Sequence, residues 1–222
     1  MIKNLLFDLG GVIMDIDRDR CVEAFKELGM ANADEFLGVY GQKGDFLALE
    51  RGEITPEEFR DRLRPYFRPG LTDAEMDAAF CRFLIGIPRH RLEALRRLRK
   101  RFGIYLLSNT NAIMWHSKIA EEFRQEGLEM ADYFDGIVAS FEVKAYKPDA
   151  EIFEKTAQIC GIRPEETLFF DDSERNCEAA RACGYQAVHV APGTEFEALA
   201  PAQLVKSFKL QNLSNPILSL KL

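Results

Sequence analysis

Short apolar segments alternate with helical patterns along most of the chain. The apolar segments are short enough to be buried strands, and they lie at 2–7, 104–109, 136–140, 167–172 and 185–190. Periodic apolar positions between them predict helices at 89–101, 112–126, 149–160 and 174–183, the last two ending before Gly161 and Gly184. Strands that alternate with helices indicate a parallel sheet with helices on both faces. The sequence therefore predicts an α/β core.

Residues 17–86 interrupt the alternation with helical patterns and almost no strand signal. Thr55 and Thr72 each stand three residues before a glutamate, which is the pattern of a capping box at a helix N-terminus. Further helices are predicted near 20–28, 33–40 and 45–51. We expect a core formed by 1–16 and 87–200, a small helical-bundle cap at 17–86, and a C-terminal tail at 201–222.

Composition narrows the class of protein. A chain of 222 residues with 47% hydrophobic residues fits one core domain with a smaller insertion. Its net charge of -7 argues against nucleic-acid binding, which relies on clustered basic residues. The five cysteines include no Cys-x-x-Cys pair, so we expect reduced thiols. No segment approaches the roughly 20 apolar residues of a membrane helix, and we expect a cytoplasmic protein.

Polar and acidic side chains stand where the predicted strands end. Asp8 follows the first strand, Ser108 and Asn109 end the second, and Asp171 and Asp172 end the fourth. The carboxyl ends of parallel strands share one edge of a sheet, so three carboxylates should converge there and repel one another. A hard divalent cation would relieve that repulsion. Oxygen ligands without a His/Cys cluster favour Mg²⁺ over Zn²⁺.

Four short motifs in this order resemble those of the haloacid dehalogenase superfamily. They are Phe-Asp-Leu-Gly-Gly-Val at 7–12, Leu-Ser-Asn at 107–109, Lys-Pro at 147–148, and Phe-Asp-Asp-Ser at 170–173 with Asn176. The resemblance covers about residues 1–195. It implies a Rossmann-like core with the cap inserted after the first motif, as in the C1-capped branch. The motifs also look like those of sugar-phosphate phosphatases and epoxide hydrolase N-terminal-like phosphatases.

The resemblance implies a role for each motif residue. Asp8 would attack phosphorus and form an aspartyl-phosphate that water then hydrolyses. Ser108, Asn109 and Lys147 would bind the phosphoryl oxygens. The Mg²⁺ ligands would be Asp8, the Gly10 carbonyl and Asp172, supported by Asp171 and Asn176. The expected substrate is a small phosphorylated metabolite, with sugar phosphates as one candidate class, and the expected assembly is a monomer or homodimer.

One position departs from the family pattern. Most phosphatases of this superfamily have a second aspartate, the general acid, two residues after the nucleophile, where this chain has Gly10. Either the leaving group needs little protonation, or Asp15, Asp17 or a cap residue delivers the proton, or the protein only binds a phosphate ligand. Two other functions stay open, a 2-haloacid dehalogenase and a non-catalytic phosphate-ligand or protein-binding module. Candidate pocket-lining residues of the cap are Tyr40, Phe46 and Glu50.

Overall fold

Five parallel strands form the central sheet in the computed structural model, which describes residues 1–37 and 42–199. Strands are numbered in chain order, and β2 and β3 form a separate pair that is described below. The strands of the central sheet are β1 (Asn4–Phe7), β4 (Gly103–Ser108), β5 (Gly136–Ala139), β6 (Thr167–Asp171) and β7 (Gln186–His189). Their order across the sheet is β5-β4-β1-β6-β7. All five predicted strands are present, and their bounds differ from the predicted ones by one or two residues at one or both ends. The predicted Rossmann-like α/β core is confirmed.

The central position of β1 brings the candidate residues together. Phe7, its last residue, pairs with Leu106 of β4 on one side and with Phe170 of β6 on the other. Both neighbouring strands run parallel to β1, so their carboxyl ends lie beside its own. Asp8 consequently follows β1 between the ends of β4 and β6.

Helices cover both faces of the sheet because successive residues of a strand point to opposite sides. Leu5 and Phe7 of β1 enter one apolar cluster, whereas Leu6 enters another with Leu107 and Phe169. The helices of the core outside 112–126 are α6 (Arg89–Leu98), α9 (Met130–Tyr133), α10 (Ser140–Val143), α11 (Ala150–Cys160) and α12 (Glu174–Ala182). The short helices α9 and α10 were not predicted because each is only four residues long, too short to show a helical period.

The segment predicted as one helix at 112–126 is helical throughout but not uniform. It consists of α7 (Ala112–Met114), a π-helix (Trp115–Ile119), α8 (Ala120–Phe123) and a 3-10 turn (Arg124–Glu126). Within the π-helix, the Ser117 hydroxyl donates to the carbonyl of Ile113. A side chain that competes for backbone carbonyls in this way is a known cause of irregular helical turns.

Five α-helices and one 3-10 turn (Arg64–Tyr66) occupy the inserted region as far as the structure describes it. The α-helices are α1 (Arg18–Glu27), α2 (Ala33–Phe36), α3 (Gly44–Glu50), α4 (Pro56–Leu63) and α5 (Asp73–Cys81). The predicted capping boxes at Thr55 and Thr72 are both formed. Phe46 and Phe80 pack together with Phe25 and Phe59, and all four side chains are buried. These rings form the apolar core of the helical unit.

Two very short strands join the helical unit to the core. Strand β2 (Asp15–Ile16) pairs antiparallel with β3 (Leu84–Gly86), and the Asp17 N–H donates to the Phe83 carbonyl at 2.8 Å. The sequence did not predict this pairing, because two or three residues show no alternation. We propose that 17–86 is the cap, since the paired strands lie at its two ends. The predicted tail at 201–222 lies outside the described residues.

Arg91, near the start of α6, ties the segment before the cap to the C-terminal part of the described chain. Its guanidinium lies 2.7 Å from Asp15 Oδ1 and 2.9 Å from Glu195 Oε2. Arg91 is only 8% exposed, and these carboxylates hold its pKa above the usual value despite burial. Asp15 is therefore the partner of a largely buried cation.

None of the helices within the described ranges has the length and apolar character needed to cross a membrane.

We expect Phe80→Ala to lower the free energy of unfolding by about 3–5 kcal/mol, the usual cost of removing a buried phenyl ring. Phe80 is 2% exposed and contacts three other rings. Chemical denaturation followed by circular dichroism measures the loss. Tyr66→Ala is the control, because Tyr66 is 45% exposed in the same unit and should cost much less. Equal losses for the two variants would contradict the assignment of this aromatic core.

Candidate active site

A buried lysine joins two carboxylates at the carboxyl edge of the sheet. Lys147 Nζ lies 2.8 Å from Asp8 Oδ1 and 2.8 Å from Asp171 Oδ2, and it donates to the Leu107 carbonyl at 3.3 Å. Lys147 is 1% exposed and Asp171 is fully buried. Burial alone would lower the pKa of Lys147, but the charges of Asp171 and Asp8 outweigh it and hold that pKa above its usual value. Lys147 is therefore a fixed positive charge.

Asp8 is held in one orientation by its neighbours. Its backbone N–H donates to the Phe170 carbonyl at 2.8 Å, and its Oδ1 accepts from the Leu9 N–H at 2.7 Å as well as from Lys147. Its Oδ2 accepts no hydrogen bond from any residue that the structure describes. One carboxylate oxygen is thus anchored and the other is left for a ligand.

Negative charge is in excess around Asp8. Burial raises the pKa of Asp8 well above its usual value, Lys147 opposes this rise, and the charges of Asp171 and Asp172 add to it. One lysine therefore does not neutralise the three carboxylates. A second cation near Asp8 would favour the ionised form that a nucleophile needs.

The three carboxylates are close enough to share that cation. One oxygen from each of Asp8, Asp171 and Asp172 can be chosen so that all three lie within 4.8 Å of one another. Both oxygens of Asp171 are already occupied, Oδ2 by Lys147 and Oδ1 by the Ser173 N–H and the Asn176 side chain. The pKa of Asp172 is raised to about 6, mainly by burial and secondly by the charge of Asp171. Asp8 and Asp172 are thus the carboxylates that remain for a metal.

The two glycines after Asp8 differ in their surroundings. Gly11 has a φ of +71°, and a Cβ there would lie 2.2 Å from Asp172 Oδ2, so only glycine leaves room for that carboxylate. Gly10 has an ordinary φ, and a Cβ there would meet only the Ile16 methyl groups at 3.5 and 3.6 Å. The backbone therefore accommodates a Cβ at Gly10, and packing around that atom does not require a glycine at this position.

Ser108 and Asn109 lie beside this edge but differ in what their side chains do. Ser108 is 2% exposed and lines the same cavity as Asp8 and Lys147. The Asn109 amide donates to the Lys147 carbonyl at 3.0 Å and accepts from the Lys147 N–H at 2.9 Å. Asn109 therefore fixes the backbone that carries the lysine, a role that sequence analysis did not assign to it.

The alternative proton donors considered from the sequence have structural partners instead. Asp15 pairs with Arg91, and Asp17 caps α1 by accepting from the Asp19 and Arg20 N–H groups. Neither aspartate lines the cavity that contains Asp8.

The three cap residues considered from the sequence have different outcomes. Phe46 is fully buried in the core of the helical unit, and Tyr40 lies outside the described residues. Glu50 does line the cavity, where it accepts a hydrogen bond at 2.8 Å from Tyr146. Tyr146 also lines the cavity and was missed, although its position directly before Lys147 was a usable signal.

Comparison with known proteins agrees with this geometry. A family model for haloacid dehalogenase-like hydrolases matches residues 2–184. D-ribitol-5-phosphate phosphatase of Bacteroides thetaiotaomicron is 38% identical over 196 residues, which make up 88% of this chain and 95% of that protein. Sesquiterpene phosphatase of Aspergillus oryzae is 31% identical over 194 residues, or 85% of this chain and 89% of that protein.

A solved structure extends the likeness to three dimensions. It is a HAD family enzyme from Bacteroides thetaiotaomicron in complex with magnesium and inorganic phosphate. The two folds align with a TM-score of 0.84 at 41% identity, covering 90% of this chain and 99% of the other. The family match, the relatives and the fold agree, and the chain belongs to the haloacid dehalogenase-like hydrolase family.

Proposed function

We propose that this hydrolase is a Mg²⁺-dependent phosphatase that removes the phosphoryl group of a small metabolite through an intermediate on Asp8. The observation that carries the proposal is the buried Asp8–Lys147–Asp171 arrangement, with distances of 2.8 Å on both sides of the ammonium and with Asp172 adjoining. Phosphoryl transfer depends mainly on positioning and on charges that stabilise the transferring oxygens. Both are present at this edge of the sheet.

The chemistry assigns one task to each residue. The free Oδ2 of Asp8 attacks phosphorus while the bond to the leaving oxygen breaks, and water then attacks the phosphorus of the aspartyl-phosphate to release phosphate and Asp8. Lys147 and Ser108 bind the phosphoryl oxygens, and Asn109 positions Lys147. Asp171 keeps Lys147 charged and in place.

The donor set fits magnesium. The carboxylates of Asp8 and Asp172 and the carbonyl of Gly10 would hold the ion, and Asp171 and Asn176 would support these ligands. All three ligands are oxygen atoms, which Mg²⁺ favours. When bound, Mg²⁺ neutralises the charge on Asp8 and on the phosphoryl oxygens. Magnesium and phosphate in the structure of the relative support this assignment.

A phosphorylated polyol or sugar is the substrate class we favour. The relative at 38% identity is a D-ribitol-5-phosphate phosphatase. Gln42 and Glu50 line the cavity together with the site residues, so the cavity wall includes polar side chains of the helical unit. We also propose that the protein is cytoplasmic and that it is a monomer or a homodimer.

We expect Asp8→Asn to lower phosphatase activity by about 10,000-fold or more, because the amide cannot act as the nucleophile. A screen of phosphorylated metabolites with Mg²⁺, reading phosphate release, measures this for the wild type and the variant in parallel. EDTA should abolish the wild-type activity and added Mg²⁺ should restore it. Release of halide from 2-haloacids that continues in EDTA would instead establish the dehalogenase.

We expect Gly11→Ala to weaken Mg²⁺ binding by about 10- to 100-fold, because the new methyl group displaces the Asp172 carboxylate. Calorimetric titration with Mg²⁺ and the Mg²⁺ dependence of the rate both measure the change. Gly127→Ala is the matched control: Gly127 has a φ of +74°, and a Cβ there meets nothing within 4 Å. Unchanged Mg²⁺ affinity in Gly11→Ala would remove Asp172 from the ligand set.

A further inference from the structure

A carboxyl group of the helical unit lies in the cavity that contains the nucleophile. Glu50 is the last residue of α3 and is 7% exposed. It lines the same cavity as Asp8, Gly10 and Lys147. A buried carboxylate needs a reason to be there, since burial of an unpaired charge is costly.

Residues 50–52, the docking segment, hold Glu50 against the core through three successive contacts. The Ser140 hydroxyl donates to the Glu50 carbonyl at 2.6 Å. Arg51 pairs with Asp149 at 3.0 Å. A Cβ at Gly52, whose φ is +64°, would lie 2.1 Å from the Phe141 carbonyl oxygen, so the two backbones touch. The docking segment therefore fixes where the Glu50 side chain points.

One oxygen of the Glu50 carboxyl is anchored and the other is not. Oε2 accepts a hydrogen bond from the Tyr146 hydroxyl at 2.8 Å. Oε1 has no hydrogen-bond partner among residues 1–37 and 42–199. Tyr146 is adjacent to Lys147 in the chain, so one loop of the core positions both the phosphoryl-binding lysine and the Glu50 carboxyl.

Burial keeps a substantial fraction of Glu50 protonated near neutral pH, although the neighbouring groups oppose it. Tyr146 and Lys147 act on it from the core loop, Asp8 and Asp172 line the same cavity, and Arg51 is next to it in the docking segment. Burial raises the pKa of Glu50 to about 7, while the Tyr146 hydrogen bond and the charge of Lys147 oppose the rise. A pKa near the working pH is the property of an effective general acid.

The nucleophile loop supplies no such acid. Gly10 has no side chain, and Asp15 and Asp17 are engaged by Arg91 and by the N-terminus of α1. General acid catalysis typically accelerates a reaction by about 100- to 10,000-fold. An alkyl phosphate, such as a polyol phosphate, has a poor leaving group and needs most of that help.

We propose that Glu50 is the general acid of the reaction, standing in from the helical unit for the carboxyl group that is missing at Gly10. This inference rests on the proposed phosphatase function. As Asp8 Oδ2 forms its bond to phosphorus, the P–O bond to the alcohol breaks and the Glu50 proton moves to the leaving oxygen, directly or through one water. In the second step the Glu50 carboxylate takes a proton from the attacking water, which yields hydrogen phosphate, free Asp8 and protonated Glu50.

A leaving-group series tests the proposal. We expect Glu50→Gln to lower kcat for a polyol or other alkyl phosphate by about 100-fold or more, and to lower kcat for p-nitrophenyl phosphate, whose leaving group needs no proton, by far less. Glu53→Gln is the matched control, since Glu53 is an exposed glutamate just after the docking segment. Equal losses of Glu50→Gln on both substrates, or a change in KM alone, would overturn the proposal. If neither substrate is hydrolysed by the wild type, the proposed phosphatase function itself fails.

The pH profile gives a second readout that a structural role would not move. An acid must be protonated, so wild-type kcat on the alkyl phosphate should fall as pH rises through the pKa of Glu50, about 7. Tyr146→Phe removes a hydrogen bond that favours the charged form, which raises the pKa of Glu50 and shifts this limb to higher pH. Glu50→Gln should lack the limb. A limb that persists in Glu50→Gln would assign it to another group and overturn the proposal.

A carboxyl group introduced at position 10 gives a third readout, because the backbone at Gly10 accommodates a Cβ. If Glu50 is the acid, Gly10→Asp should speed the Glu50→Gln variant on the alkyl phosphate by about 10-fold or more, and should speed the wild type much less. If Gly10→Asp speeds both backgrounds equally, the wild type has no acid at Glu50 and the proposal is wrong.

Discussion

The active site depends on one buried ammonium group between two carboxylates. Lys147 is 1% exposed and contacts Asp8 and Asp171 at 2.8 Å each. Removal of one partner from a buried ion pair typically costs about 3–5 kcal/mol, because the other charge is left without compensation. Here the lysine compensates two carboxylates at once. The orientation of the nucleophile and the stability of this edge of the sheet are therefore maintained by the same contact.

The strand order explains why this contact can form. Asp8 follows β1 and Asp171 ends the adjacent strand β6, whereas Lys147 comes from the loop after α10 and reaches them from the side of β4. The Asn109 amide holds that loop by hydrogen bonds in both directions with the Lys147 backbone. Since Asp171 is also saturated by Ser173 and Asn176, its role is fixed by its neighbours. Asp8 differs from Asp171 in having one oxygen that no described residue occupies.

The sequence predicted those parts of the site that depend on local pattern. Apolar segments that stop at Asp8, Ser108 and Asp171 indicate both the strands and their shared edge, because parallel strands place their carboxyl ends together. Contacts between distant residues leave no such pattern. The pairing of Glu50 with Tyr146 joins positions 96 residues apart, and that of Asp15 with Arg91 joins positions 76 apart. Likewise, the β2–β3 pair is too short to show alternation.

The location of the proposed acid changes how the reaction is controlled. An acid in the nucleophile loop is present whether or not the cavity is closed. Glu50, by contrast, is held in the cavity by contacts of the docking segment with Ser140, Phe141 and Asp149, all of which belong to the core. Its proton is available to the leaving group only while those contacts exist. Closure of the cavity would then both exclude water from the aspartyl-phosphate and bring the proton to the leaving group. Departure of the alcohol would thereby be coupled to protection of the intermediate.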